Sequence, residues 1–222
     1  TFVGGILVVS ASMLKSKPAI MTNILCFWAN WNLKASGIRI YHHGKEAIDL
    51  NRQYVILGNH ESALDIFVVL GQFPLALRIV SKIELRKLPL VGYAMEKTLF
   101  PFVDRKNRSA AIVSLDKTFQ KLAAANLSIF LYPEGTRSKT GHLIPFKKGA
   151  FVLAIQHQWP ILPIVMCGAG KINPPGTIWV KGADVHIYYL PPIESAGLTL
   201  DDREELKNRV FELMDTFQRG QC

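Results

Sequence analysis

The sequence predicts an α/β domain with a mixed, largely parallel sheet flanked by helices. Three observations lead there. From Gly37 onward, short strand-like apolar runs alternate with longer segments in which polar and apolar residues recur at helical spacing. No internal repeat or low-complexity segment interrupts that alternation, and 222 residues are enough for one good-sized core with an appendage. The chain closes on a segment that begins Asp201-Asp202 and carries Val210, Leu213, Met214 and Phe217, the pattern of an amphipathic helix covering a sheet.

In chain order, strands are expected at residues 38–42, 54–57, 77–80, 99–103, 128–132, 161–166 and 185–190. Helices are expected at 64–70, 88–97, 109–125, 150–157 and 201–218. Ahead of this domain, residues 2–14 are uncharged and mostly apolar. Lys15-Ser16-Lys17-Pro18 interrupts them, and a second apolar stretch runs on to Trp31. Neither stretch reaches the roughly 20 residues of a spanning helix, and Pro18 bends or ends a helix. Two short helices lying in or dipping into a bilayer fit this pattern, with Trp28, Trp31, Lys15, Lys17 and Lys34 in the interfacial zone. A helical hairpin buried against the main domain is the alternative. The expected organisation is therefore membrane-associated helices at 1–34 and the α/β domain at 35–222. Thr1 stands where an initiator methionine is usual, which suggests a chain that starts partway into its protein.

Hydrophobic residues make up 49% of the chain and charged ones only 19%, so some apolar surface is expected to meet something other than water. The net charge of +9 calls for an anionic partner: nucleic acid, acidic lipid headgroups or a phosphorylated substrate. The basic residues lack interleaved exposed aromatics, which ranks nucleic acid low. Cys26, Cys167 and Cys222 are odd in number and widely spaced, so neither a disulfide framework nor a zinc pattern is expected, and a reducing compartment or simple structural thiols fit best.

The chemistry starts at Asn59-His60-Glu61-Ser62-Ala63-Leu64-Asp65, between a strand-like run and a helical one. On one unbroken helix, His60 and Asp65 would point about 140° apart. If the helix starts at Ser62, Asp65 lies in its first turn and reaches back to the imidazole. Asp65 would then hold one ring N–H and leave the other nitrogen free as a base. Ser62 to Asp65 also matches a capping box, under which both residues serve only the helix start.

Three further segments carry site chemistry. Leu131-Tyr132-Pro133-Glu134-Gly135-Thr136-Arg137-Ser138 follows a strand and holds the parts of an anion site: a glycine for close approach, two hydroxyls and a guanidinium. Phe102-Val103-Asp104-Arg105-Lys106-Asn107-Arg108 ends another strand, with Asp104 placed to orient Arg105. Trp159-Pro160-Ile161-Leu162-Pro163 either walls an apolar channel or forms an edge strand. The first two also read as a polar turn and a solvated loop. The chain lacks Gly-x-Ser-x-Gly, a Walker loop and Gly-x-Gly-x-x-Gly, and Leu64 stands where a zinc-protease helix needs its second histidine. A lone histidine base suits a reaction whose nucleophile arrives with the substrate.

Taken in order, these four segments closely resemble the blocks of the glycerolipid acyltransferase family, and within it the 1-acyl-sn-glycerol-3-phosphate acyltransferases. His60 to Asp65 resembles the His-x₄-Asp block, Phe102 to Arg105 the second, Pro133 to Ser138 the third and Pro160 to Pro163 the fourth. Lys82, Pro89, Gly92 and the run Phe146-Lys147-Lys148-Gly149-Ala150-Phe151 resemble family positions as well. Leu99 departs from the glycine that usually opens the second block, and Pro101 from an aliphatic residue.

The resemblance implies acyl transfer from a thioester, on coenzyme A or acyl carrier protein, to the 2-hydroxyl of lysophosphatidic acid, with no metal or other cofactor. It implies His60 as base and Asp65 as its orienter. Arg105 and Arg137, assisted by Lys82 and Thr136, would bind the phosphate. Glu134 would fix Arg137 or bond glycerol, the Gly135 N–H would face the oxyanion, and Pro160, Ile161 and Pro163 would line the acyl channel. The compact length resembles bacterial members, implying the cytoplasmic face of an inner membrane.

Overall fold

The computed structural model describes residues 18–104, 108–138, 140–172 and 182–222. The expected helix at 2–14, and Arg105, lie outside them. The strands are β1 (Arg39–His43), β2 (Val55–Gly58), β3 (Leu77–Ile79), β4 (Ser81–Lys82), β5 (Phe102–Val103), β6 (Ser128–Leu131), β7 (Ile161–Cys167) and β8 (Asp184–Tyr189). The helices are α1 (Pro18–Ala35), α2 (Asp65–Gln72), α3 (Ile83–Arg86), α4 (Val91–Lys97), α5 (Arg108–Ala124), α6 (Gly149–His157) and α7 (Arg203–Gln221). Six strands form one sheet in the order β1-β8-β7-β2-β6-β3. Every neighbouring pair is parallel except β7 with β8. β4 and β5 pair separately.

All residues of β2, β6 and β7 are buried, as a sheet covered on both faces demands. Side-chain alternation divides them between two apolar layers. Ile56, Leu162, Ile164 and Met166 meet Leu25, Ala29 and Leu33 of α1 and Val68 and Val69 of α2. Val55, Leu57, Ile161 and Val165 meet Phe119 and Leu122 of α5, Leu153 of α6 and Val210 and Met214 of α7. Each such aliphatic side chain contributes roughly 1.5–3 kcal/mol through burial.

The helix expected to lie in or dip into a bilayer buries one stripe, Met21, Leu25, Ala29 and Leu33, in the core of the domain. α1 and α2 approach closely at Gly71, where a Cβ would stand 3.1 Å from Ala29 and Asn30, and Asn30 donates to the Gly71 carbonyl at 2.8 Å. Buried Arg78 ties β3 to α1 and to the end of α4, donating to Thr22 Oγ1 at 3.1 Å and to the Thr98 carbonyl at 2.5 Å. The opposite stripe of α1 leaves Ile20, Phe27 and Trp31 exposed, the last two at 62%.

Several expected boundaries move for backbone reasons. The helix expected from residue 88 starts at Val91, because Leu90 has φ +61°. The strand expected from residue 99 shrinks to Phe102–Val103. Leu99 stands at φ +66°, and Pro101 has no N–H to offer a ladder. The left-handed φ accounts for glycine at this position, and leucine carries a strain of about 1 kcal/mol there.

The expectation that no two cysteines pair is overturned. Cys167, at the end of β7, and Cys222, just past α7, are joined across 55 positions with Cα atoms 5.2 Å apart. Nothing in their spacing signals this, since the partners meet only once α7 lies on the sheet. A chain-entropy argument gives closure of such a loop about 4 kcal/mol of stabilisation. Cys222→Ser should lower the urea midpoint under non-reducing conditions, and dithiothreitol should lower that of the parent equally. Equal midpoints in all three cases would refute the cross-link.

Candidate active site

β2 ends at Gly58, and the chain is pinned at once to β7. Buried Asn59 accepts from the Met166 N–H at 2.7 Å and donates to its carbonyl at 2.8 Å. His60 follows on a tight turn. Asp65 Oδ2 accepts three hydrogen bonds, from His60 Nδ1 at 2.8 Å and from the Glu61 and Ser62 N–H groups at 2.9 Å each. Ser62 Oγ accepts from the Leu64 N–H at 3.1 Å. The helix therefore begins at Asp65, three residues later than a start at Ser62, and a non-helical turn makes the reach back to the imidazole.

Asp65 is fully buried and the His60 side chain is 17% exposed. A carboxylate only accepts, so the imidazole proton sits on Nδ1 and Nε2 keeps its lone pair. The α2 N-terminus adds a favourable dipole for the buried charge.

β6 neighbours β2 in parallel, which sets the loops after the two strands side by side. The β6 loop grips the His60 backbone at both polar atoms. Glu134 Oε1 accepts from the His60 N–H at 2.9 Å, and the Ser138 N–H donates to the His60 carbonyl at 2.8 Å. Glu134 Oε2 accepts from the Ile144 N–H at 3.2 Å. Burial raises the Glu134 carboxyl to about 7, against the opposing pull of those two N–H groups. Burial likewise raises Glu61, whose carboxylate is held by Asn59 Nδ2, the Gly170 N–H and Gln218 Nε2. On the face of the imidazole lies Tyr132, its ring centroid 3.9 Å away and 18° from parallel.

Three expected roles are corrected. Glu134 neither fixes Arg137 nor faces outward, because it is 2% exposed and both its oxygens serve backbone N–H groups. The Gly135 N–H donates to the Tyr132 carbonyl at 3.0 Å, so it is spent within the turn and not aimed at an oxyanion. Gly135 stands at φ +73°, where a Cβ would come within 2.9 Å of Lys147 Nζ. Pro160, Ile161 and Pro163 are buried, and none of them lines the cleft beside Tyr132 or the one beside Glu61. They lie in or beside β7, between β8 and β2, and so form neither a channel wall nor an edge. Pro163 is tolerated inside the sheet because its carbonyl faces Leu190, beyond the end of the β8 ladder, so its missing N–H falls on that side too.

Thr136 and Arg137 are exposed beside the grip on His60, and Arg137 makes no ion pair among the described residues. Lys82 is exposed at the end of β4, opposite Val103. A cleft of about 490 Å³ opens at Tyr132, with Val80, Val103, Leu115, Leu131 and Phe146 as apolar lining and Lys147 at its edge. Residue-by-residue reading gave no role to Asn59, Tyr132 or Lys147. Only the resemblance of the 146–151 run pointed toward Lys147. Among the described residues no group of three or more His, Cys, Asp or Glu could hold a metal.

Residues 39–167, more than half of the chain, match the acyltransferase family. The chain belongs to the acyltransferase family. It is 33% identical over 177 residues to a 1-acyl-sn-glycerol-3-phosphate acyltransferase of Limnanthes douglasii, covering 80% of this chain and 62% of that one. It is 33% identical over 183 residues to the alpha form from Homo sapiens, covering 82% and 65%. The chain thus spans a little under two thirds of the length of those relatives. Its fold matches the crystal structure of the 1-acyl-sn-glycerophosphate acyltransferase from Thermotoga maritima with TM-score 0.80 and 24% identity, over 99% of this chain and 88% of that one.

The burial of Glu134 should show in the pH dependence of this chain's stability. A carboxyl raised from 4.5 to about 7 keeps its proton in the folded chain after the unfolded chain has lost it. Its contribution to stability is therefore full below pH 4.5 and lost as pH rises through about 7. The stability gap between the parent and Glu134→Gln should shrink between pH 5 and pH 8 in urea titrations. A gap independent of pH would contradict this.

Proposed function

We propose that this acyltransferase moves an acyl group from a thioester, on coenzyme A or acyl carrier protein, to the 2-hydroxyl of lysophosphatidic acid, giving phosphatidic acid. The observation that carries the reading is the 2.8 Å bond between His60 Nδ1 and buried Asp65, which leaves Nε2 as a proton acceptor. The activity named for the curated relatives supports it.

In this reading His60 Nε2 takes the hydroxyl proton as the oxygen attacks the thioester carbon. The C–O bond forms, the C–S bond breaks, and the proton passes from the imidazolium to the departing thiolate. Asp65 balances the imidazolium charge in between. A thiolate leaves readily, so no protein nucleophile and no cofactor beyond the thioester itself are invoked. Arg137, Lys82 and Thr136 are accessible to a phosphate, and we assign Arg105 to the same task on the family resemblance. The apolar cleft at Tyr132 replaces the segment around Pro160 as the place for a hydrocarbon chain.

We further propose that the enzyme works at a bilayer surface, on the cytoplasmic side where acyl thioesters are made. The exposed stripe of Ile20, Phe27 and Trp31 on α1 supports this, with Lys34 at the helix end. No helix among the described residues is long and apolar enough to cross a membrane. On a reducing side, the Cys167–Cys222 pair would stand as thiols.

Acyl-transfer assays with lysophosphatidic acid, glycerol 3-phosphate and lysophosphatidylcholine test the acceptor. Phosphatidic acid should be the main product, and activity confined to the other acceptors would sink the assignment. His60→Ala should lower kcat at least ~10³-fold with vesicle binding intact, whereas unchanged turnover would remove His60 as the base. Serine at both Phe27 and Trp31 should weaken binding to anionic vesicles by at least ~10-fold while the fold persists.

A further inference from the structure

We propose that Tyr132 is a positioning residue for His60, acting through the face of its ring. The inference rests on the reading of His60 as the base. One hydrogen bond, Nδ1 to Asp65, fixes a single point of the imidazole and leaves its plane free to tilt. The second restraint is the Tyr132 ring, whose centroid stands 3.9 Å from that of the imidazole with 18° between the planes. Tyr132 is itself held from two sides. The edge-to-face contact with Phe130 has centroids 5.0 Å apart at 70°, and the Gly135 N–H bonds the Tyr132 carbonyl at 3.0 Å. The ring thus carries the rigidity of β6 to the imidazole and aims Nε2.

The hydroxyl is not what acts. It is buried and has no hydrogen-bond partner among the described residues, so a phenyl ring should serve in its place. The π face also has an electrostatic part. When His60 takes the hydroxyl proton, positive charge spreads over a ring lying on an electron-rich surface, which favours the protonated state. The carboxyls around His60 include Asp65 on its ring N–H, Glu134 on its backbone N–H and the next residue, Glu61, whose carboxylate is held by Asn59, Gly170 and Gln218. A substitution at Tyr132 leaves all three in place.

The test compares Tyr132→Leu with Tyr132→Phe, reading kcat, both KM values and the titration of the His60 ring by NMR in the free enzyme. Leucine should lower kcat by ~10- to 100-fold with each KM within about 2-fold, and should move the midpoint of the ring titration to lower pH. Phenylalanine should rescue both. Loss in the phenylalanine variant equal to that in leucine would assign the effect to the hydroxyl and overturn the proposal. So would a leucine variant with parental turnover and titration. If leucine does not fold, Tyr132→Met keeps comparable volume without a π face and takes its place. Failure of the base reading shows separately: His60→Ala would then keep its turnover, while the NMR titration still reports whether the ring face governs the imidazole.

Discussion

One buried carboxylate oxygen organises the site. Asp65 Oδ2 takes the His60 ring N–H and the N–H groups of Glu61 and Ser62, so the same atom that closes the turn into α2 also sets the orientation of the imidazole. A fully buried charge is stable only when it is paired and hydrogen-bonded, and three donors on Oδ2 with a helix N-terminus supply this, while Oδ1 has no hydrogen-bond partner among the described residues. Any change that releases one donor disturbs the other two, because all three meet at one point. The capping-box and catalytic readings of this stretch therefore describe one geometry.

The sheet then supplies what the turn cannot. Because β2 and β6 lie side by side in parallel, the loop carrying Glu134 and Ser138 reaches a residue 74 positions earlier and holds both polar atoms of its backbone. The neighbouring β7 secures Asn59, and the last turn of α7 contributes Gln218 to Glu61. Each contact crosses between elements, so the base is held by the tertiary fold more than by its own segment. The carboxyls of Glu61 and Glu134 are raised by the same burial that makes these contacts strong.

Much of this was legible along the chain. Apolar runs gave the buried strands, and the order of four short blocks gave the family, since motif residues are fixed by chemistry and strand residues by burial. Element ends were less legible. Leu90 and Leu99 occupy left-handed backbone that leucine gives no hint of, and the strand and helix beside them shorten accordingly. The apolar, proline-stiffened run at Pro160 to Pro163 suggested a channel or an edge, and composition could not separate either from an interior strand whose ladder happens to end where the proline needs it.

Spacing and residue type were enough to mark His60 and Asp65 as a pair within reach, because a five-residue turn is a local object. They could not decide which atoms of the third block face the base. Glu134, Gly135 and Arg137 are candidates within four positions, and folding sends the first inward to two backbone N–H groups, ties the second into its own turn and leaves the third to solvent. The Tyr132 ring on His60 and the meeting of Cys167 with Cys222 are likewise products of strand order and helix docking. Distances between residues far apart in the chain depend on the packing of whole elements, and only the folded molecule holds that information.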